Sequence, residues 1–221
     1  MGDPANPFRA FVDPVDGSLC CKLRGPTMGM PFGTCITVVK SRPDGSMRFS
    51  DIQAAGLIDL RSGVIWLADR NVIHGRMGIS VRDRNGRWAH PQPIEAKKLD
   101  LGKMPVIAEL YYPEMREKAF RAFRGEKGYL RSLSGAAIEM AYVASGQVAL
   151  FFCDRQKQDV GGTGYAFVKG AGGFVCDFDG NLIDDVPYTF RNPDGALSQT
   201  PMILAGNEAL ARELLARLKN G

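Results

Sequence analysis

The sequence predicts a layered fold in which α-helices and β-strands are interleaved. The chain has 221 residues, a length that fits one ordinary domain, and we expect residues 1–221 to form a single domain. With 45% hydrophobic and 24% charged residues it can bury a sizeable core, which excludes a disordered or fibrous chain. Segments rich in β-branched residues alternate with segments of helical periodicity, and neither repeats nor low-complexity segments occur.

The first half of the chain is predicted to consist mainly of strands. Residues 34–40 (TCITVVK) are rich in β-branched side chains and predict one strand. Residues 52–59 and 64–69 predict a hairpin around a turn at 61–63. We expect the segment 72–93 to be irregular.

The second half is predicted to contain more helix. Helices are expected from Pro113 to a stop at Gly125, from a cap at Ser134 to about Gly146, from Asp159 onward, and after a cap at Asn207. Glycines within 161–164 lower the helical propensity of the third of these. A strand is expected at 148–153, and a hairpin turn at 179–180.

Charge and cysteine content narrow the class of protein. The formal net charge of +4 is too small to indicate a nucleic-acid polymer or an anionic membrane as partner. Five cysteines, of which Cys20 and Cys21 are adjacent, cannot form a complete disulfide framework. The N-terminal residues lack the pattern of a signal peptide, and the richest apolar stretch, 136–153, is interrupted by polar residues. We therefore expect a cytoplasmic protein that does not bind membranes.

The segment 13–18 (DPVDGS) is the strongest candidate for chemistry. Its proline and glycine predict a tight turn that aims the carboxylates of Asp13 and Asp16 at one point, and Mg²⁺ prefers such oxygen ligands. Gly17 lets the backbone approach a phosphate closely, and Ser18 adds a hydroxyl group. An ordinary solvent-exposed turn has the same residues, so this segment alone leaves both interpretations open.

Further segments occur in a fixed order along the chain and strengthen the first interpretation. They are 13–18 (DPVDGS), 56–66 (GLIDLRSGVIW), 131–146 (RSLSGAAIEMAYVASG), 158–162 (QDVGG), 171–180 (AGGFVCDFDG) and 203–207 (ILAGN). In this combination the sequence resembles the inositol monophosphatase family of metal-dependent sugar-phosphate phosphatases. The resemblance extends over nearly the whole chain. It implies the layered α-β-α-β-α sandwich of that family, here shortened at the N-terminus, and a homodimer.

The resemblance also implies the roles of individual residues. The metal ligands for two or three Mg²⁺ ions would be Asp13, Val15 (through its main-chain oxygen), Asp16 and Asp159. Asp13, Asp16, Ser18 and Asp159 would form the catalytic set, and Gly17 and Ser18 would bind the phosphate. Ser134, Gly135 and Ala136 would contact the alcohol part of a small phosphomonoester, which could be an inositol, sugar or nucleotide phosphate. For Asp159 alone, a helix N-cap is the other interpretation.

Three positions depart from the pattern of the family. A metal-binding glutamate is expected upstream of Asp13 after two helices, but only 12 residues precede Asp13 and their sole acid is Asp3. Gln158 stands where the family has tryptophan, and 152–154 (FCD) stands where an inositol-contacting glutamate is expected. Without the two helices, one sheet face would be uncovered, which favours association. The sequence therefore fits a truncated enzyme, a non-catalytic binding or assembly protein, or a nucleotide or sulfur-metabolism bisphosphatase.

Overall fold

The structure, a computed structural model, describes residues 6–18, 32–70, 77–128, 130–132 and 135–220. Within them lie two β-sheets and four α-helices. The helices are α1 (Pro113–Ala122), α2 (Ala136–Ala144), α3 (Gln158–Gly170) and α4 (Glu208–Asn220). A short 3₁₀ helix spans Phe49–Asp51. Each predicted helix is present, and the Asn207 side chain accepts a hydrogen bond from the Leu210 N–H at 3.1 Å, as expected of a cap.

A six-stranded antiparallel sheet is built from the first half of the chain, with neighbours in sequence paired as neighbours in space. Its strands are β1 (Phe8–Asp16), β2 (Gly33–Lys40), β3 (Ile52–Asp59), β4 (Ile65–Arg70), β5 (Met77–Arg82) and β6 (Trp88–Ala89). The predicted strand at 34–40 and the hairpin of β3 and β4 are confirmed. The prediction that 72–93 is irregular is wrong, because pairing with β4 orders β5 although its local sequence signal is weak.

A five-stranded mixed sheet is built from the second half. It contains β7 (Val106–Ala108), β8 (Leu130–Arg131), β9 (Leu150–Lys157), β10 (Phe174–Cys176) and β11 (Gln199–Ala205), in the order β10-β11-β9-β7-β8. Strand β7 runs parallel to β8 and β9, and the remaining pairs are antiparallel. The strand predicted at 148–153 is β9, which continues to Lys157, directly before α3. None of the described helices has the length and apolar composition needed to span a membrane.

The elements stack in alternating layers of sheet and helix. Helices α2 and α3 fill the space between the two sheets, where Met140 and Phe167 pack with Leu57 of the first sheet and Phe151 of the second. Helices α1 and α4 cover the other face of the five-stranded sheet, with a second core around Leu214. The predicted layered sandwich, shortened at the N-terminus, is thus confirmed: the described residues form two sheets, a helical layer between them and one outer helical layer.

The outer face of the six-stranded sheet has no described helix packed on it. The strand register places Val12, Ile36, Gly56 and Leu67 in one row across β1 to β4. Their larger members are exposed by 48% (Val12), 39% (Ile36) and 45% (Leu67). Apolar residues of neighbouring rows, such as Val38, extend the patch. This face agrees with the uncovered sheet face expected from the sequence.

Helix α3 forms although three glycines lie in its first half, because its packing leaves no room for side chains there. A Cβ atom on Gly162 would be 2.7 Å from Cζ of the buried Tyr188 ring. A Cβ atom on Gly161 would be 2.9 Å from Sδ of Met202. Close approach of the helix backbone to its neighbours therefore outweighs the low helical propensity of glycine.

We predict that Gly162→Ala lowers the free energy of unfolding by about 1–3 kcal/mol, because overlap with the fixed Tyr188 ring exceeds the gain of roughly 1 kcal/mol in helix propensity. Urea unfolding followed by circular dichroism measures the change. The control is Gly78→Ala, where the nearest neighbour of the new methyl group would be Asp69 Oδ1 at 4.0 Å. An unchanged stability of the Gly162 variant would contradict the packing described for α3.

Candidate active site

A β-bulge at the end of β1 determines where the two aspartates of the segment 13–18 point. Asp13 pairs with Cys35 and Asp16 pairs with Gly33, so three steps along β1 match two steps along β2. In a regular strand, residues three apart point to opposite faces of the sheet. The one extra residue restores the alternation, and Asp13 and Asp16 both point to the inner face.

The predicted tight turn at 13–18 is therefore wrong in its position. The chain continues as a strand through Pro14 and Val15 up to Asp16, and the Val15 N–H donates to Asp13 Oδ1 at 3.0 Å. The turn comes at Gly17, whose φ of 79° lies in the left-handed region that favours glycine. Pairing with β2 makes residues 13–16 a strand, and this pairing cannot be inferred from local turn propensity.

Asp16 is bound at the N-terminus of helix α2. Its Oδ2 atom accepts a hydrogen bond from the Ala137 N–H at 2.8 Å, and only 6% of the residue is exposed. Burial raises the pKa of the Asp16 carboxyl to about 7; the Ala137 hydrogen bond opposes this shift and the nearby Asp13 charge adds to it. A cation bound beside this carboxylate would therefore offset the unfavourable free energy of burying its charge.

Asp159 lies in the first turn of helix α3, close enough to Asp13 for their charges to interact. Its Oδ1 atom accepts a hydrogen bond from the Val160 N–H at 2.9 Å. Burial raises its pKa, the Val160 hydrogen bond opposes the shift, and the charge of Asp13 raises it further. Asp13 thus interacts electrostatically with both Asp16 and Asp159.

A cavity of about 420 Å³ opens over these carboxylates. Of the sequence-predicted site residues, it is lined by Asp13, Val15, Asp16, Gly17, Ser18 and Ala136. Asp159 lies next to the lining residue Val160, and the buried Gly135 precedes Ala136. Ser134, like Cys20 and Cys21, lies outside the described residues. A larger cavity of about 950 Å³ at the other end of β1 contains none of the predicted residues.

The donor chemistry of this site fits a hard divalent cation. Carboxylate and main-chain oxygens are the ligands that Mg²⁺ prefers, and the charge of Asp13 acts on the carboxylates of both Asp16 and Asp159. Among the described residues, no three His, Cys, Asp or Glu side chains lie close enough together to hold an ion in their present positions. Binding would therefore require the carboxylates to draw together around the ion.

Gln158, which replaces the expected tryptophan, connects the start of α3 to the segment before β11. Its Nε2 atom donates to Pro187 O at 3.0 Å and to Thr200 Oγ1 at 2.7 Å, and its Oε1 atom accepts from the Thr189 N–H at 2.6 Å. The residue is buried, and these bonds use both N–H donors of its amide group and its carbonyl oxygen. This departure from the pattern therefore has a structural role beside Asp159.

Several residues that line the cavity were missed by sequence reasoning. They are Glu109, Tyr111, Tyr112, Cys153, Arg155, Gln156 and Lys157. Residues 154–157 (DRQK) are all polar, so the sequence carries no alternation that would single out Arg155 and Lys157. Asp154, the one acid in the segment 152–154, lies 3.9 Å from Lys118 Nζ through its Oδ2 atom and does not line the cavity.

Comparisons with known proteins bear on the fold. No protein-family model matches the sequence, and no curated protein matches it significantly. Among solved structures, an IMPase (inositol monophosphatase) of Thermotoga maritima has a TM-score of 0.69 at 18% identity, over 97% of this chain and 70% of that chain. The extragenic suppressor protein SuhB of Bartonella henselae has a TM-score of 0.70 at 24% identity, over 99% of this chain and 75% of that chain.

A third structure, an IMPase/NADP phosphatase complexed with Mg²⁺ and phosphate, has a TM-score of 0.69 at 14% identity, over 100% of this chain and 71% of that chain. The chain thus has the fold of inositol monophosphatases and is shorter than these neighbours. The resemblance given by its motifs is confirmed at the level of the fold.

We predict that Asp16 makes the metal-free protein less stable as the pH rises from about 4 to 7. Its pKa is about 7 in the folded chain and 3.8 ordinarily, so folding takes up a proton in this range and the free energy of unfolding falls with rising pH. Urea unfolding in EDTA at pH 5 and pH 8 should show a steeper loss for the wild type than for Asp16→Asn. Equal losses in the two proteins would refute this assignment.

Proposed function

We propose that this chain hydrolyses a small phosphomonoester with Mg²⁺ and a metal-activated water. The observation that carries the proposal is the β1 bulge, which points Asp13 and Asp16 to one face at the floor of a cavity, next to Asp159. The substrate would be an inositol, sugar or nucleotide phosphate. The fold shared with inositol monophosphatases and with an IMPase/NADP phosphatase complexed with Mg²⁺ and phosphate supports this reaction class.

Mg²⁺ would be held by the side chains of Asp13, Asp16 and Asp159 and by the main-chain oxygen of Val15. When bound, it would supply a water of lowered pKa and neutralise charge on the phosphate. The carboxylates position the ion against the substrate, and the hydrogen bond from Ala137 fixes one oxygen of Asp16. Hydrolysis of a phosphomonoester needs such positioning and charge compensation more than a covalent nucleophile.

The phosphate and the alcohol would contact two other parts of the cavity wall. Gly17, in its left-handed conformation, would let the backbone approach a phosphate oxygen, and the exposed hydroxyl of Ser18 would donate to another. Ser134, Gly135 and Ala136 would contact the alcohol part, since Ala136 lines the cavity at the start of α2. The cavity thereby orients the phosphorus atom toward the carboxylates.

We predict that Asp13→Asn and Asp159→Asn each reduce Mg²⁺-dependent phosphate release by at least about 100-fold, because each removes a charge needed to hold the ion. Release is measured over a panel of sugar and nucleotide phosphates, with Mg²⁺ and with EDTA. The control is Asp69→Asn, an exposed aspartate on β4 that does not line the cavity, which should retain activity.

Retained activity in both Asp13 and Asp159 variants would refute the proposed site. Absence of release from the folded wild-type chain with every substrate would refute the proposed activity. That result would favour the other candidate, a non-catalytic binding or assembly protein. The lack of three acidic side chains in ligand positions among the described residues is the observation that keeps this candidate open.

We further propose that the protein forms a homodimer through the outer face of the six-stranded sheet. Val12, Ile36 and Leu67 expose large apolar side chains in one row, and contiguous apolar patches of this kind are unusual on monomers. A second copy offers the same flat apolar face, and two sheets packed face to face would bury both.

We predict that Leu67→Arg raises the dissociation constant of the dimer by at least about ten-fold, because burying a charge in an apolar interface is unfavourable. Sedimentation equilibrium measures the shift. The control is Phe120→Arg on α1, where a similarly exposed ring lies on a different surface. A wild-type protein that sediments as a monomer would contradict the proposed dimer.

A further inference from the structure

One wall of the cavity over the carboxylates is cationic. Arg155 and Lys157 lie on β9 and are exposed, whereas Gln156 between them is buried, as expected of alternating strand residues. Both bases line the same cavity as Asp13 and Asp16. The two are about 6–7 Å apart along the strand, and Lys157 directly precedes helix α3.

Arg155 is held in place by weak contacts that leave its hydrogen-bonding groups available. Its Cζ atom lies 5.1 Å from the centroid of the Tyr112 ring. Its Nη2 atom lies 3.9 Å from Glu114 Oε2, which is too long for a hydrogen bond, and 47% of the side chain is exposed. The guanidinium group thus lies over the Tyr112 ring and pairs with Glu114 at ion-pair distance, without a hydrogen bond between the two side chains.

The same cavity that Arg155 and Lys157 line also contains acidic side chains, whose charge bears on whether an anion can bind there. Glu109 lines the cavity, but its Oε1 atom accepts the Tyr111 N–H at 3.0 Å. Asp13 and Asp16 line the same cavity, and the charge of Lys157 acts on Asp159, so a divalent cation held by these aspartates would offset their charge. Tyr111, exposed by 75%, also lines the cavity. The cavity therefore combines acidic residues that would hold a metal-bound phosphate with two basic residues on β9.

We propose, on the basis of the function proposed above, that the substrate contains a second anionic group in its alcohol part, and that Arg155 binds this group with Lys157 beside it. A guanidinium group binds phosphate or carboxylate through two parallel hydrogen bonds, whereas a neutral polyol offers it no charge. The substrate class is thus a small bisphosphate or a phosphorylated hydroxy acid, and Arg155 determines specificity.

The test compares matched substrates that differ only in the second anion. Fructose 1,6-bisphosphate is compared with fructose 6-phosphate, and 2-phosphoglycerate with glycerol 2-phosphate, so that a second phosphate and a carboxylate are tested separately. We expect kcat/KM of the wild type to be at least about ten-fold higher for one doubly anionic member, mainly through KM. Arg155→Gln should reduce this preference by about 10–100-fold.

Arg116→Gln is the matched control, because Arg116 is an exposed arginine on α1 that lines a different surface groove. It should keep the preference of the wild type. Release with equal efficiency from both members of each pair, or a preference that Arg155→Gln leaves unchanged, would overturn the inference while leaving the phosphatase function intact.

Binding measurements separate this inference from the activity on which it rests. If no substrate is hydrolysed, the proposed function fails, and calorimetric titrations of fructose 1,6-bisphosphate and of 2-phosphoglycerate, with Ca²⁺ in place of Mg²⁺, still test whether Arg155 binds an anion. A dissociation constant at least about ten-fold higher for Arg155→Gln than for the wild type and Arg116→Gln supports an anion site at Arg155. Equal dissociation constants, or no binding to the wild type, overturn it.

Discussion

A single extra residue in strand β1 determines the geometry on which the site depends. Between Asp13 and Asp16 the first strand advances three residues while β2 advances two, and this bulge turns both carboxylates toward the inner face of the sheet. The same shift brings Asp16 to the N-terminus of α2, where the Ala137 N–H binds it. A regular strand would have pointed one of the two aspartates to the outer face, away from the helices.

The helices between the sheets complete the site because their backbones approach their neighbours closely. Gly161 and Gly162 let α3 pack against Met202 and Tyr188, and this packing fixes the first turn of the helix, which contains Asp159. The Gln158 side chain adds two hydrogen bonds to the segment before β11 and one to Thr200 in β11. Core packing thus determines where Asp159 lies relative to the carboxylates on β1, and a loss of this packing would displace Asp159 from them.

The sequence predicted much of this arrangement, and the failures have physical reasons. The helices beginning near Pro113 and Asp159 and the hairpin of β3 and β4 follow from local periodicity, caps and turns. The bulge was interpreted as a tight turn, because Pro14 and Gly17 are typical turn residues and only pairing with β2 reveals the strand. Arg155 was missed because the strands and helices that share one cavity wall are brought together by the tertiary fold.

The central claim is that the bulge, α2 and α3 together form a site for a divalent cation. Its most direct test is a crystal structure of the protein grown with Mn²⁺, in which the ion is located by its anomalous scattering. We predict a peak within bonding distance of the Asp13 and Asp16 carboxylates, with Asp159 as a further ligand. Full occupancy of Mn²⁺ elsewhere, with no peak between these aspartates, would contradict the account.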